Sequence, residues 1–352
     1  MKTSTLVIAV LFFCNSCTRD KLTQFKAIPT AFGSLNEIVV ISSKQIWDGP
    51  VGDSLRYYYS SAFPILPQPE PIFDLRHFTT EELESEPMRK ELRNYLILAD
   101  LSDFDDPTTK MVEKDLSQLN NDKSNEINSI VGRDKWAKGQ LIIYQFAKNE
   151  QNLIYNIKKD FPAIQKKVYD ADRYKLDGNV YQQGIDENII NELNNELSIY
   201  LKIPKEYGIS LQDDVTFWLR KETENVSSNI LISKIAYQKI EQLSTAGLKE
   251  IRDKIGKKYI SSQIEDSYMR TNDIDLPIYS YQKTLNNKYT IENRGIWEME
   301  NDYMGGPYIS YLVLNEEKSE LLFLDGFVYA PGQDKRELIM SLEHIFKSLK
   351  WN

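Results

Sequence analysis

The chain has 352 residues, 41% hydrophobic and 27% charged, the profile of a packed globular protein long enough for two ordinary domains. Its 43 basic against 52 acidic side chains leave a formal charge of −9, which opposes non-specific binding to nucleic acid. With only 2 histidines a His-rich metal site cannot be built, and the 2 cysteines both lie near the N-terminus.

Lys2 begins a short basic start, Leu6 to Phe13 is an unbroken apolar run, and Asn15-Ser16 lead into Cys17. This is the layout of a secretory signal peptide, with an apolar run far short of the roughly 20 residues that cross a bilayer. A cysteine just after the cut makes residues 1–16 a lipoprotein signal peptide and Cys17 the expected site of lipidation. Ser16 has the small size the cut requires, whereas Cys14 stands where such signals prefer leucine. A cut before Cys14, or a signal peptide with an incidental cysteine, is the alternative. Once Cys17 carries lipid, no disulfide, thiolate nucleophile or CxxC redox pair is left.

Residues 18–36 are polar, contain Pro29 and Gly33, and read with Cys17 as a lipidated stalk, 17–36. Thr18-Arg19-Asp20-Lys21 is not an acidic run after the cysteine, which favours the periplasm-facing side of a cell-envelope membrane.

An N-terminal α/β module is expected over 37–175. Its strands are Glu37–Ser43, Ile72–Phe78, Tyr95–Leu101 and Gln140–Ala147, several of them apolar on both faces. Gly49-Pro50-Val51-Gly52 reads as a turn before a helix capped by Asp53 or Ser54 and running to about Phe63. Prolines 64, 67, 69 and 71 then exclude regular structure. Helices are expected over 80–92 and from Asp105-Asp106-Pro107 to Leu119. A longer one carries Leu153, Ile157, Phe161, Ile164 and Val168 on one stripe, with Pro162 inside it and a kink or break expected near Phe161. Leu176–Gly184, with two glycines, is the expected boundary.

A C-terminal α+β module follows over 185–352. A helix near 185–198 precedes strands Val215–Arg220 and Asn229–Tyr237, then a helix over 245–257. Strands Ser267–Arg270, Ser280–Leu285, Tyr289–Glu300, Tyr308–Leu314 and Leu321–Tyr329 make an antiparallel sheet. Asn286-Asn287-Lys288 and Asn315 to Ser319 are its hairpin turns. Arg336–Leu349 closes the chain as an amphipathic helix whose Leu342, Ile345 and Phe346 face the sheet.

Several stretches carry a family likeness: Ile46-Trp47-Asp48-Gly49-Pro50-Val51-Gly52, Glu206-Tyr207-Gly208-Ile209, Asn293-Arg294-Gly295-Ile296-Trp297-Glu298, Tyr303-Met304-Gly305-Gly306-Pro307-Tyr308 and Phe327-Val328-Tyr329-Ala330-Pro331. Through them the chain resembles, over essentially all of the mature sequence, a Bacteroidota lipoprotein family known as domain of unknown function 4837. The resemblance implies a lipid-anchored envelope protein and supplies no cofactor and no catalytic residue. The order of elements after Leu201 is similar to the PsbP-like α-β-α sandwich, used mostly for binding and assembly.

Candidate sites each have a structural counterpart. His77 and His344 are the available general bases, and each also fits as a packed strand histidine or a surface histidine near a helix C-terminus. Glu298 and Glu300 share one face of a strand about 6.6–6.8 Å apart, a glycosidase-like spacing and equally a solvent face. Asp213-Asp214, Asp105-Asp106 and Asn272-Asp273-Ile274-Asp275 offer oxygen ligands without calcium-loop spacing, which fits loops and caps better. Gly305-Gly306-Pro307 reads as a turn needing positive φ. Tyr57-Tyr58-Tyr59, among 21 tyrosines, must expose at least one ring on a helix and fits either a binding surface or a core rim. Nucleotide-loop, dinucleotide, zinc-protease and nucleophile-elbow motifs are absent. The sequence thus favours a non-enzymatic binding or assembly protein, with no cofactor or metal, whose partners are the membrane and an envelope protein or glycan. A carboxylate-dependent hydrolase is the alternative.

Overall fold

A computed structural model describes residues 28–117 and 128–351. The signal peptide, Cys17 and the stalk through residue 27 lie outside the described residues.

The N-terminal part builds a five-stranded sheet from β1 (Glu37–Ile41), β2 (Asp74–Phe78), β3 (Asn94–Asp100), β4 (Ser129–Arg133) and β5 (Leu141–Ala147). The spatial order is β2-β1-β3-β5-β4, with β4 alone antiparallel to its neighbour. Strands apolar on both faces need a cover on each side, and both covers are present. Ile38, Val40, Leu96 and Leu98 meet α2 (Pro50–Tyr59) and α5 (Glu150–Val180) on one side. Val39, Ile41, Ile97 and Ala99 meet α3 (Thr80–Ser85) and α4 (Pro107–Ser117) on the other. A five-residue helix, α1 (Lys44–Asp48), precedes α2.

Three expectations change here. The first helix starts at Pro50 instead of Asp53 or Ser54, because proline's fixed φ suits the first helical position and Gly49 takes the cap. Residues 30–36 are not free stalk: Ala31 and Phe32 bond to the Lys138 and Glu91 carbonyls, and Leu35 is buried. The long helix runs unbroken through Pro162 and past Gly178, so the boundary glycine is helical. Leu153, Ile157, Ile164 and Val168 of α5 pack in the N-terminal core, while Leu176 and Val180 pack in the C-terminal one. Burial at both ends outweighs the cost of one glycine, roughly 1 kcal/mol.

The C-terminal part begins with α6 (Glu187–Leu197) and β6 (Ile199–Tyr200). An eight-stranded antiparallel sheet follows, made of β7 (Gly208–Gln212), β8 (Thr216–Glu222), β9 (Ser227–Ala236), β10 (Tyr268–Asn272), β11 (Tyr279–Leu285), β12 (Lys288–Glu300), β13 (Gly305–Asn315) and β14 (Glu320–Tyr329). Alternation along β14 is the organising pattern. Leu322, Leu324 and Val328 face α6 and α8 (Arg336–Phe346), whereas Leu321, Phe323 and Phe327 face α7 (Thr245–Tyr259). The result is the expected mixed α+β fold with an antiparallel sheet covered by helices on both faces. Asn286 and Asn287 both have positive φ, as a two-residue hairpin turn requires. The chain ends on β15 (Lys350–Trp351), which pairs β6.

The two sheets meet through specific polar contacts. Glu70, from the proline-rich loop, accepts the backbone N–H groups of Lys335 and Arg336 at 2.6 and 2.9 Å, capping α8 from the other half of the chain. The Arg336 guanidinium bonds the Pro71 carbonyl and the Asp74 carboxylate at 2.6 and 2.7 Å.

Candidate functional site

Against this junction lies a cavity of about 450 Å³. Segments 296–299, 302–306 and 329–331 of β12, β13 and β14 with their loops form most of it, and Pro67, Gln68, Asn272 and Lys335 complete it. Apolar bulk comes from Trp297, Met299, Met304 and Tyr329, while Tyr303 stands fully exposed at the mouth. Much of the Asn293–Glu298, Tyr303–Tyr308 and Phe327–Pro331 stretches singled out in the sequence therefore converges on one wall.

Glycine shapes this wall by close approach. A Cβ at Gly306 would sit 2.0 Å from the Val328 carbonyl oxygen and one at Gly305 would sit 2.8 Å from that of Trp297. Neither glycine has positive φ, which corrects the expected turn: both belong to β13, and Asn301 supplies the left-handed residue before it. Trp297 is fixed by donating its indole N–H to the Val328 carbonyl at 3.1 Å.

Glu298 does line the cavity, but it is not half of a free carboxylate pair. Arg270 of β10 bridges Glu298 and Glu300 at 2.6 and 2.8 Å, and Asn272 donates to Glu298 at 2.7 Å. One guanidinium thus holds both carboxylates, which leaves neither free as a shared-site acid or nucleophile. The structure brings Asn272 and Glu298 together, a long-range pairing across β10 and β12 that spacing along the chain does not reveal. Lys335 and Gln68 are the functional candidates the sequence concealed, since no motif marks either.

The remaining candidates fall elsewhere. His77 stacks face to face on Trp47 at 4.5 Å, with its Nε2 3.0 Å from the Ser42 hydroxyl and 3.1 Å from the Ser42 carbonyl. Burial lowers its pKa, and the backbone contact to Ser42 opposes this. A serine does stand beside it, but Ser42 is fully buried and beyond a substrate's reach. His344 sits in the last turn of α8, as expected, but is half-buried, with its Nε2 2.9 Å from Asp177 of α5. Sequence reasoning missed this because the partner is 167 positions away.

The aspartates act as caps. Asp106 accepts the Thr108 N–H at 2.7 Å, and Asp213 accepts the Thr216 N–H at 2.8 Å and the Tyr259 hydroxyl at 2.6 Å. Asn272 accepts from Ile274 and Asp275. Of the three tyrosines, Tyr57 is exposed, Tyr58 half-buried and Tyr59 fully buried. Among the described residues no group of three or more His, Cys, Asp and Glu could hold a metal ion, and no helix is long and apolar enough to cross a membrane.

Two other cavities differ in character. A slot of about 510 Å³ lies between α7 and the β8–β9 strands, but its inner hydroxyls on Thr216, Ser233 and Tyr259 bond one another at 3.0 and 3.3 Å. A crevice of about 190 Å³ lies where the chain order reverses between β1 and β3, the place where open α/β sheets bind ligands. Its aspartates Asp100, Asp103 and Asp106 are already bonded to backbone N–H groups of their own loop.

Residues 186–348 match the family model described as Domain of unknown function (DUF4837), and residues 31–181 match a second, Domain of unknown function (DUF8532). The likeness expected over the whole mature chain thus divides in two: the Ile46–Gly52 stretch falls under the second model, and the cavity wall from 296 to 331 under the first. The chain matches no curated protein.

Proposed function

We propose that this is a lipid-anchored protein of the cell envelope, facing the periplasm, which binds a ligand or partner without transforming it. Binding takes place in the cleft where the proline-rich loop meets the C-terminal sheet. The observation that supports this most is that cleft itself: apolar and aromatic side chains around a few converging polar groups, the composition of ligand sites. Commitment of the titratable candidates supports the non-catalytic half. Glu298 and Glu300 share Arg270, His344 is tied to Asp177, and His77 is packed between Trp47 and Ser42. The two family matches, 31–181 and 186–348, support two domains placed side by side, with 37–175 and 185–352 as their cores. The envelope reading rests on the apolar run ending in Ser16-Cys17.

Two measurements test the proposal. Cys17→Ser should move the full-length protein from the detergent phase to the aqueous phase, and a variant that stays with membranes refutes the anchor. For the cleft, a panel of saccharides and peptides is titrated against residues 18–352. Any ligand found should bind about tenfold or more weakly to Tyr303→Ala, with the melting temperature unchanged because that ring is solvent-exposed. Undiminished binding in that variant places recognition elsewhere.

A further inference from the structure

Lys335 lines the cleft, is only 4% exposed, and has no carboxylate partner for its ammonium among the described residues. Its Nζ donates to the Gln68 side-chain oxygen at 2.7 Å and to the Gln333 carbonyl at 2.6 Å, both neutral. An ammonium has three donors, and the third has no partner among the described residues. The nearby Glu70 carboxylate is spent on the backbone N–H groups of Lys335 and Arg336. Burying a cation without a counter-charge is costly, and proteins otherwise pair such groups. A structural role does not require it: the α8 cap uses the backbone of residue 335, which any side chain would offer.

The cleft lining also carries groups of the other sign, Glu298 and Asp302. Glu298 is ion-paired with Arg270, which it shares with Glu300, and Asp302 accepts the Tyr303 N–H at 2.7 Å. Acceptors of this kind suit hydroxyl donors. Tyr303 and Tyr329 add faces of the sort that pack on sugar rings.

We infer that the cleft takes an acidic saccharide, whose carboxylate or phosphate pairs with the Lys335 ammonium and whose hydroxyls donate toward Glu298. This rests on the cleft being the binding site.

Methyl-labelled methionine provides the readout, since Met299 and Met304 line the cleft among 7 methionines in all. Their resonances are assigned with Met299→Leu and Met304→Leu. Residues 18–352 are titrated with glucuronate, with glucose 1-phosphate, and with neutral glucose. Saturable shifts of these methyls with an acidic sugar, at least tenfold weaker in Lys335→Met and retained in Lys335→Arg, support the inference. Whichever acid binds more tightly tells a carboxylate from a phosphate. Equal affinity in Lys335→Met, or glucose binding as well as the acids, overturns the acidic class while leaving the cleft as a binding site. Failure of all three sugars to move either methyl overturns the saccharide inference. In that case Tyr303→Ala still decides the cleft reading on whatever ligand the wider panel yields.

Discussion

Replacing Phe346 with alanine should lower the stability of the folded protein by about 3–5 kcal/mol, the range for a fully buried aromatic cut back to a methyl group. Phe346 has no exposed surface and meets Tyr311 edge-to-face, with ring centres 5.4 Å apart. The helix carrying it lands on Gly326 of β14, where a Cβ would already come within 3.1 Å of Phe346 and of Leu342. Such close seating leaves little room for neighbours to collapse into the vacated volume, so the cost belongs in the upper part of that range. A urea melt followed by far-ultraviolet circular dichroism reads the difference. A loss under about 1 kcal/mol would mean that α8 is not seated on the sheet as described, and that its stripe is a surface for a partner.

Periodicity alone makes this helix legible in the sequence. Leu342, Ile345 and Phe346 recur at helical spacing, and all three are buried against the sheet. The same holds for β1, β3 and β5, whose unbroken apolar runs match strands covered on both faces. Hairpins were legible where turn chemistry is local, as at Asn286-Asn287. What stayed hidden were features decided by distant partners. β7 is a mostly exposed edge strand with no alternating apolar face, and only its pairing with β8 defines it. Gly178 looks like a breaker until burial of Leu176 and Val180 on either side of it is known. In the cleft, Glu298 was visible as a carboxylate. Its ion-pair partner Arg270, its Asn272 partner, and Lys335, which has no carboxylate partner among the described residues, lie on other elements and follow no spacing rule.

Arg252 and Asp325 are the other pair that only the fold reveals, and separating them should have the second large effect. Arg252 of α7 and Asp325 of β14 are 1% and 0% exposed, with Nε and Oδ1 3.1 Å apart. Ser310 donates to the same carboxylate oxygen at 2.5 Å, and the Arg252 Nη1 donates to Thr271 at 3.2 Å. The guanidinium lies 3.9 Å over the Tyr308 ring. Burial pushes the Asp325 pKa above its ordinary value, while Arg252 and the Ser310 hydrogen bond pull the other way. In Arg252→Met the burial acts with less opposition. The variant should lose about 3–5 kcal/mol near neutral pH, because an uncompensated charge stays inside. Replacing both, as Arg252→Met with Asp325→Leu, should recover most of that loss, since apolar groups of similar volume tolerate the site. The sign of the pH dependence follows from linkage. A carboxyl whose folded pKa is raised holds its proton in the folded state after the unfolded chain has released it. Stability therefore falls as pH rises from the unfolded value, roughly 4, toward the raised one. The deficit of Arg252→Met relative to the parent should accordingly shrink in acid and grow toward neutrality, and the double variant should show no such slope. Urea melts at several pH values decide it. A deficit that is the same at every pH would assign the loss to packing around the vacated guanidinium, and the buried charge would not be its cause.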